Sequence, residues 1–292
     1  MEQTVATDIN ELMARASQAA AIFEQLDQAH TDRIVRAVFE AGFNHRLSLA
    51  RQAAEETGMG NWEDKVIKNV AATLLVYEDI KDEKTVGVIS EDREKGIVEL
   101  AQPLGPIFAI VPVTNPTSTV MFKILIALKS RNPIIIRPHR NAANCSIEAA
   151  RICYEAALAE DAPEDCIQWV HDLSREETQA IMGHKDLALV LATGGGGLVK
   201  AAYSSGKPAL GVGAGNVPVL IERSASLPFA VDQILLSKTF DNGTICASEQ
   251  ALVVERCISD EVIADLKERK AYFLTPDEVK RVEAVAFDRD KN

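Results

Sequence analysis

The sequence predicts an α/β protein built on a doubly wound parallel sheet with flanking helices. Three observations lead there. From Gly105 onward, short apolar runs rich in β-branched residues alternate with segments of helical period, the pattern of strands buried on both faces and joined by crossover helices. Each apolar run ends in a polar or glycine-rich stretch, and in such folds ligands bind beyond the carboxyl ends of the strands. The chain has 292 residues, 47% of them hydrophobic and 25% charged, enough to bury one large core or two lobes.

Residues 1–83 read as helical. Ile9, Leu12, Met13, Ala16, Ala19, Ala20, Phe23 and Leu26 recur at helical spacing over 8–28. Thr31-Asp32 is expected to cap a second helix with Ile34, Val35, Val38, Phe39 and Phe43 inward. A third helix covers 47–56 and stops at Gly58, since glycine takes the left-handed turn that other residues resist. A fourth runs over about 62–77, and this helical part carries no obvious chemistry. Residues 84–104 change period, with Val86 and Val88 on one side of a charged turn and Ile97, Glu99 and Ala101 on the other, and so predict a β-hairpin.

Residues 105–240 form the α/β core. Strands are expected at 106–112, 133–136, 167–170, 186–192 and 217–221, and helices at 120–129, 142–160, 175–182, 198–205 and 229–239. The stretch 209–216 is a small-residue segment without an assigned strand. Residues 241–292 start a further domain, with one strand and two helices at most after Glu255.

A net charge of −12 argues against a general nucleic-acid or anionic-membrane surface, which would need clustered Lys and Arg. It leaves room for a small basic pocket. No apolar run approaches the roughly 20 residues that span a bilayer, and Met1 to Gln28 carries acids and no apolar signal core, so a cytoplasmic protein is expected. The five cysteines form no CxxC and the five histidines no HxxxH or HExxH. They read as free thiols in a reducing compartment, with no metal site.

Four features could carry chemistry. Cys246 lies in Phe240-Asp241-Asn242-Gly243-Thr244-Ile245-Cys246-Ala247-Ser248-Glu249-Gln250, among residues that supply donors and room. It reads either as a reactive thiol or as a loop cysteine with no role. The run Thr193-Gly194-Gly195-Gly196-Gly197 precedes a helix, where glycines admit a close ligand and free N–H groups face an anion; the other reading is a tight turn. Neither this run nor Gly211-x-Gly213-x-Gly215 matches G-x-G-x-x-G. Asn115 follows a buried strand, where its amide could donate to a developing oxyanion or merely form a turn before Pro116. Arg137, His139 and Arg140 could face a ribose or phosphate or be a solvated loop.

Four blocks carry a resemblance: Ile110 to Thr119 (IVPVTNPTST), Ala192 to Pro208 (ATGGGGLVKAAYSSGKP), Gly211 to Asn216 (GVGAGN) and Lys238 to Gln250 (KTFDNGTICASEQ). Together with Gly58-Met59-Gly60 and Glu63 to Asn69 (EDKVIKN), they resemble the acylating, CoA-dependent aldehyde dehydrogenase family, in particular the N-terminal half of its bifunctional aldehyde–alcohol dehydrogenases. The resemblance implies a Rossmann-type fold and NAD-dependent interconversion of acetyl-CoA, or a short acyl-CoA, and acetaldehyde. It implies that Cys246 is the nucleophile forming a thioester, with Asn115 and the Cys246 backbone N–H as the oxyanion hole. Ile110, Val111, Pro112, Val113, Thr114, Asn115, Gly195 and Gly213 would line NAD, coenzyme A would be a substrate, and the full-length family would form homo-oligomers.

Two departures matter. Hydrolytic relatives place a water-activating Glu in the block matching 211–218, whereas this chain has Val212 there and no acid from Leu210 to Ile221. The thioester should therefore pass to CoA and not to water. The resemblance also implies roughly one more domain's length after Cys246, where this sequence has residues 247–292. The expectation is a truncated catalytic domain, completed by a second polypeptide, or an inactive fragment acting only as a nucleotide-binding or assembly module.

Overall fold

The computed structural model describes residues 8–286. The N-terminal helices are α1 (Ile9–Phe23), α2 (Gln28–Asn44), α3 (Arg46–Thr57), α4 (Trp62–Val70) and α5 (Val76–Ile80), with one π-helical stretch at Ala71–Leu75 between the last two. Helix α2 begins earlier than Thr31-Asp32. The Asp27 carboxylate accepts the His30 N–H at 2.8 Å, so Asp27 is the cap. Thr31 instead lies within the helix and donates its hydroxyl to the Asp27 carbonyl at 2.8 Å. Gly58 ends α3 at φ +64°. Strands β1 (Gly87–Asp92) and β2 (Ile97–Ala101) form the expected antiparallel hairpin.

The α/β core runs β3 (Ile107–Ile110), α6 (Pro116–Lys129), β4 (Ile134–Arg137), α7 (Ala143–Leu158), β5 (Ile167–Trp169), α8 (Arg175–Met182), β6 (Leu189–Thr193), α9 (Gly196–Tyr203) and β7 (Ala209–Val212). These strands make one sheet in the order β5-β4-β3-β6-β7, and all its pairings are parallel. Three details differ from the sequence reading. Helix α6 starts at Pro116, whose fixed φ suits a first helical turn, so the preceding polar loop is shorter. Gly196 and Gly197 open α9 and are not loop residues. The segment from Ala209 is an edge strand, because its backbone pairs with Val190 to Thr193.

Strands β3, β4 and β6 bury both faces, with alternate residues in separate cores. Ile107, Ala109, Val111, Ile134 and Ile136 pack with Val35, Val38, Val120, Ile124 and Cys153. Phe108, Ile110, Ile135 and Val190 pack with Leu12, Met13, Ile181 and Ala202. The alternation follows from the period of two along a strand.

The chain divides into two compact units: residues up to Gly215 together with Asp241–Cys246, and Asn216–Phe240 with the residues from Ala247. The units part at Phe240/Asp241, where the sequence places a division, and also at Gly215/Asn216 and Cys246/Ala247, where it places none. The reason is pairing: β8 (Val217–Ile221) does not join the main sheet but pairs in parallel with β9 (Glu249–Val254). In this second unit α10 (Leu227–Thr239), α11 (Ser259–Glu268) and α12 (Pro276–Ala286) accompany the two strands, around a core of Ile221, Val231, Ile234, Val262 and Leu266. No helix among the described residues is long and apolar enough to cross a membrane.

Within the first unit, α6 is tied to the centre of the sheet by a buried lysine. Lys123 donates to the carbonyls of Ile110 and Leu191, each at 2.8 Å, and so spans β3 and β6. Burial lowers its pKa from 10.5 to about 7. Unfolded chains keep that proton up to about pH 10 while the folded chain releases it above about 7, so stability rises with pH through this window and is lost as pH falls back through it. The predicted slope from this group is at most about 1.4 kcal/mol per pH unit. Chemical denaturation at several pH values should show a steeper rise for the wild type than for Lys123→Met; parallel curves would contradict the assignment.

Candidate functional site

Strand order and chain order reverse between β3 and β6, and the crevice beyond the carboxyl ends of those strands is where an open parallel sheet holds a ligand. A cavity of about 790 Å³ lies there, within the range of small-molecule sites. Its walls are Ile110 to Pro112 after β3, Arg137 to Asn141 after β4, His171 to Leu173 after β5, and Thr193 to Gly195 with Leu198 after β6. The features singled out in the sequence therefore bear differently on it: those after β4 and β6 line it, and Asn115 does not. The segment after β5 was missed, because residues 171–173 carry no turn motif or glycine pattern.

The cavity has cationic and glycine-lined walls. Arg137 turns to donate from Nε to the Thr178 hydroxyl at 3.0 Å. Burial and the nearby Arg140 and Arg137 push His139 below the usual histidine pKa, and its Nδ1 accepts the Asn141 N–H at 3.2 Å. At Gly195, Gly196 and Gly197 an added Cβ would meet nothing within 4 Å. The glycines thus leave open space at the start of α9, suited to a bulky phosphate-bearing ligand.

A second cluster joins Asn115 to the cysteine loop. Asn115 precedes α6 yet makes no side-chain cap for it. Its Oδ1 instead accepts from Lys68 Nζ at 2.7 Å, and its Nδ2 donates to Thr114 Oγ1 at 2.9 Å. Lys68 also donates to the Thr244 carbonyl at 2.7 Å, two residues before Cys246. Lys68 and Lys65, neighbours on one face of α4, both bond the Asp241 carboxylate, Lys65 at 3.0 Å. Lys65 is 3% exposed, Lys68 7% and Asp241 0%, so this is a buried ion cluster. Burial pulls the Lys68 pKa down against the opposing pull of Asp241.

Asp241 is held from both backbone sides. Its N–H donates to Asp64 Oδ2 at 2.6 Å, and its Oδ1 accepts the Asn61 N–H at 2.8 Å. Asp241 and Asn242 take left-handed φ values of +49° and +54°. Gly60 has φ +69°, and a Cβ there would lie 1.9 Å from Asp241 Oδ1, so the carboxylate sits where only glycine leaves room.

The structure sorts the cysteines. Cys145, Cys153 and Cys166 are buried, whereas Cys246 and Cys257 are exposed. Burial pushes the Cys153 and Cys166 thiols up to about 12, which keeps them inert. Ile110, Val111, Pro112 and Gly195 line the cavity, while Val113, Thr114, Asn115 and Gly213 do not. Gly213 follows β7, and Asn115 belongs to the lysine–aspartate cluster. Sequence reasoning missed Lys65, Lys68 and Asp241, although two lysines three apart on a helix with an otherwise buried face were a usable signal. Among the described residues no group of three or more His, Cys, Asp or Glu is placed to hold a metal ion.

The chain is similar to known proteins in sequence and in fold. The profile of the aldehyde dehydrogenase family matches residues 1–280. The bifunctional aldehyde-alcohol dehydrogenase of Escherichia coli K12 is 48% identical over 285 residues, covering 98% of this chain and 32% of that protein. The chain therefore spans about a third of the length of that curated relative. The crystal structure of an acetylating aldehyde dehydrogenase from Geobacillus thermoglucosidasius superposes with a TM-score of 0.90 at 50% identity, over 95% of this chain and 62% of that one. A Rhodopseudomonas palustris propionaldehyde dehydrogenase, solved with bound CoA and an acylated cysteine, is 31% identical, with a TM-score of 0.82 over 95% and 63% of the two chains.

The buried cluster yields a stability prediction. Asp241→Ala leaves two buried ammonium groups without their carboxylate and should destabilise the first unit by about 3–5 kcal/mol, as removing one partner of a buried ion pair does. Denaturant titration checks this; a change below about 1 kcal/mol would show that the cluster is solvated.

Proposed function

The chain belongs to the aldehyde dehydrogenase family, and on that premise we propose that it is the dinucleotide-binding and nucleophile-bearing part of an acylating aldehyde dehydrogenase. The proposed reaction is the NAD-dependent interconversion of a short acyl-CoA, typically acetyl-CoA, and its aldehyde. One observation carries the reading: a single ammonium, Lys68, holds both the Asn115 side chain and the backbone just before Cys246, each at 2.7 Å. An oxyanion donor and an exposed thiol are thereby anchored to one point.

In this reading the Cys246 thiolate attacks the thioester carbonyl of the acyl-CoA. The carbonyl oxygen gains charge, which the Asn115 amide N–H and the Cys246 backbone N–H stabilise. The carbon–sulfur bond to CoA then breaks, CoA leaves as its thiolate, and the acyl group remains on Cys246. NAD bound in the cavity at the carboxyl ends of β3, β4 and β6 supplies hydride chemistry. Ile110, Val111, Pro112 and Gly195 would hold it, and the glycines at the start of α9 would admit its phosphates. Val212 ends β7, half exposed and beside the glycine loop, its carbonyl accepting the Gly194 N–H at 3.0 Å. A valine there cannot activate water, which leaves a thiol as the acyl acceptor.

The net charge of −12 and the five free cysteines fit a cytoplasmic protein whose partners are small molecules. Assembly with further copies, as the full-length family implies, belongs to the same reading.

The test uses the full chain with acetyl-CoA and NADH, following nicotinamide absorbance. Turnover is expected and should fall at least a thousandfold in Cys246→Ser. Equal rates in the two proteins would overturn the assignment; binding of NADH with no turnover in either would favour a nucleotide-binding module. A Val212→Glu variant should gain acetate formation from the acyl-enzyme. Unchanged acetate would remove Val212 from the account.

A further inference from the structure

We infer that Lys68 is a positioning residue that decides which end of the Asn115 amide faces the substrate. The inference rests on the proposed oxyanion role of Asn115. An asparagine side chain is nearly symmetric in shape, and its two ends differ only in that one accepts and the other donates. Which end faces a reacting oxygen must therefore be set by neighbours. Asn115 gives its usual helix-capping bond up, so the cap does not set it. Lys68 does: an ammonium has three donors and no acceptor, and it meets Oδ1 at 2.7 Å. A flipped amide would bring NH₂ against the ammonium, donor to donor. Nδ2 is thereby fixed on the other side, where one hydrogen goes to Thr114 Oγ1 at 2.9 Å and the amide's second hydrogen is available to a carbonyl oxygen.

The same ammonium is itself fixed. It is bound by the fully buried Asp241 carboxylate and by the Thr244 carbonyl at 2.7 Å, and Asp241 is locked by the backbone of Asn61 at 2.8 Å and packed on Gly60. The helix α4 lysine thus transmits the position of the cysteine loop to the amide, and one residue sets both donor identity and register. Lys129 provides a contrast. It is equally buried, at 4% exposure, and pairs with Asp32 at 2.7 Å, but no contact joins it to Asn115.

Two reactions of Cys246 separate positioning from simple structural damage. Alkylation by iodoacetamide needs only the thiolate, with no oxyanion. Acylation by p-nitrophenyl acetate passes through an oxyanion: the thiolate adds to the ester carbonyl, the carbon–oxygen bond breaks, and p-nitrophenolate leaves while the acetyl group stays on sulfur. The quantity read is the acylation rate divided by the alkylation rate in the full chain. Losing one oxyanion donor costs about a hundredfold to a thousandfold in rate. Asn115→Ala should lower the ratio by that much, and Lys68→Met should lower it at least thirtyfold. The double variant should be no worse than Asn115→Ala alone, because both changes remove one donor. Lys129→Met should keep the ratio within threefold of wild type.

If Lys68→Met does not fold, Lys68→Gln serves, since its side chain can also accept and so permits the flip; the same fall in ratio is expected, with Lys68→Arg, again donor-only, retaining at least ten times more of it. A normal ratio in Lys68→Met or Lys68→Gln with a low one in Asn115→Ala would overturn the inference alone. Multiplicative losses in the double variant would do the same. A normal ratio in Asn115→Ala would overturn the oxyanion reading, and this inference with it.

Discussion

The structure of the candidate site depends on one buried carboxylate. Asp241 is wholly buried, and a charge in that position persists only when paired and hydrogen-bonded. It draws in Lys65 and Lys68 from α4 and the N–H of Asn61, and it requires glycine at position 60. Asp241 and Asn242 themselves then take left-handed φ values. Segments separated by more than 170 residues are thereby brought together, and the loop that carries Cys246 is anchored to α4. Such an arrangement is weak as a source of stability, since the desolvation cost of three charges offsets much of their attraction. It is strong as a source of geometry, since any displacement leaves a charge unpaired.

The sheet supplies the second constraint. Five parallel strands, the central ones buried on both faces, leave their carboxyl ends as the place where backbone and side chains are free to meet a ligand. Lys123 reinforces the point where the order reverses by bonding the last carbonyls of β3 and the middle of β6 from α6. The cavity and the asparagine that starts α6 are therefore two products of one crossover. Residues 110–112 line the cavity, and the chain then turns into Asn115 and the helix, so the proposed cofactor site and the proposed oxyanion donor are a few residues apart in sequence by construction.

The strands were legible because buried parallel strands leave short β-branched runs that no helical period can mimic, as at Ile134-Ile135-Ile136. The strand at Ala209–Val212 was not, since Gly211 and Ala209 carry little strand signal; it forms because the exposed edge of β6 offers backbone partners. The start of α2 was missed for a similar local reason: Asp27 and Asp32 are both plausible caps, and only the fold decides between them. At the site, Cys246 and Asn115 could be singled out by residue type and neighbours. Their shared anchor could not, because Lys68 and Asp241 are 173 positions apart and a lone charged residue reads by default as a solvated one. Gly60 is the exception that composition could have flagged, since a second glycine two residues after the stop at Gly58 needs a reason of its own.

The proposed reaction requires Cys246, held in this anchored loop, to take up an acyl group from a CoA thioester. The most direct measurement is mass spectrometry of the chain after incubation with acetyl-CoA in the absence of nicotinamide cofactor. One acetyl group is expected, on the peptide that contains Cys246, which is discharged on adding free CoA and persists in buffer over the same interval. An unmodified Cys246, or acetylation spread over the other cysteines and lysines, would contradict it.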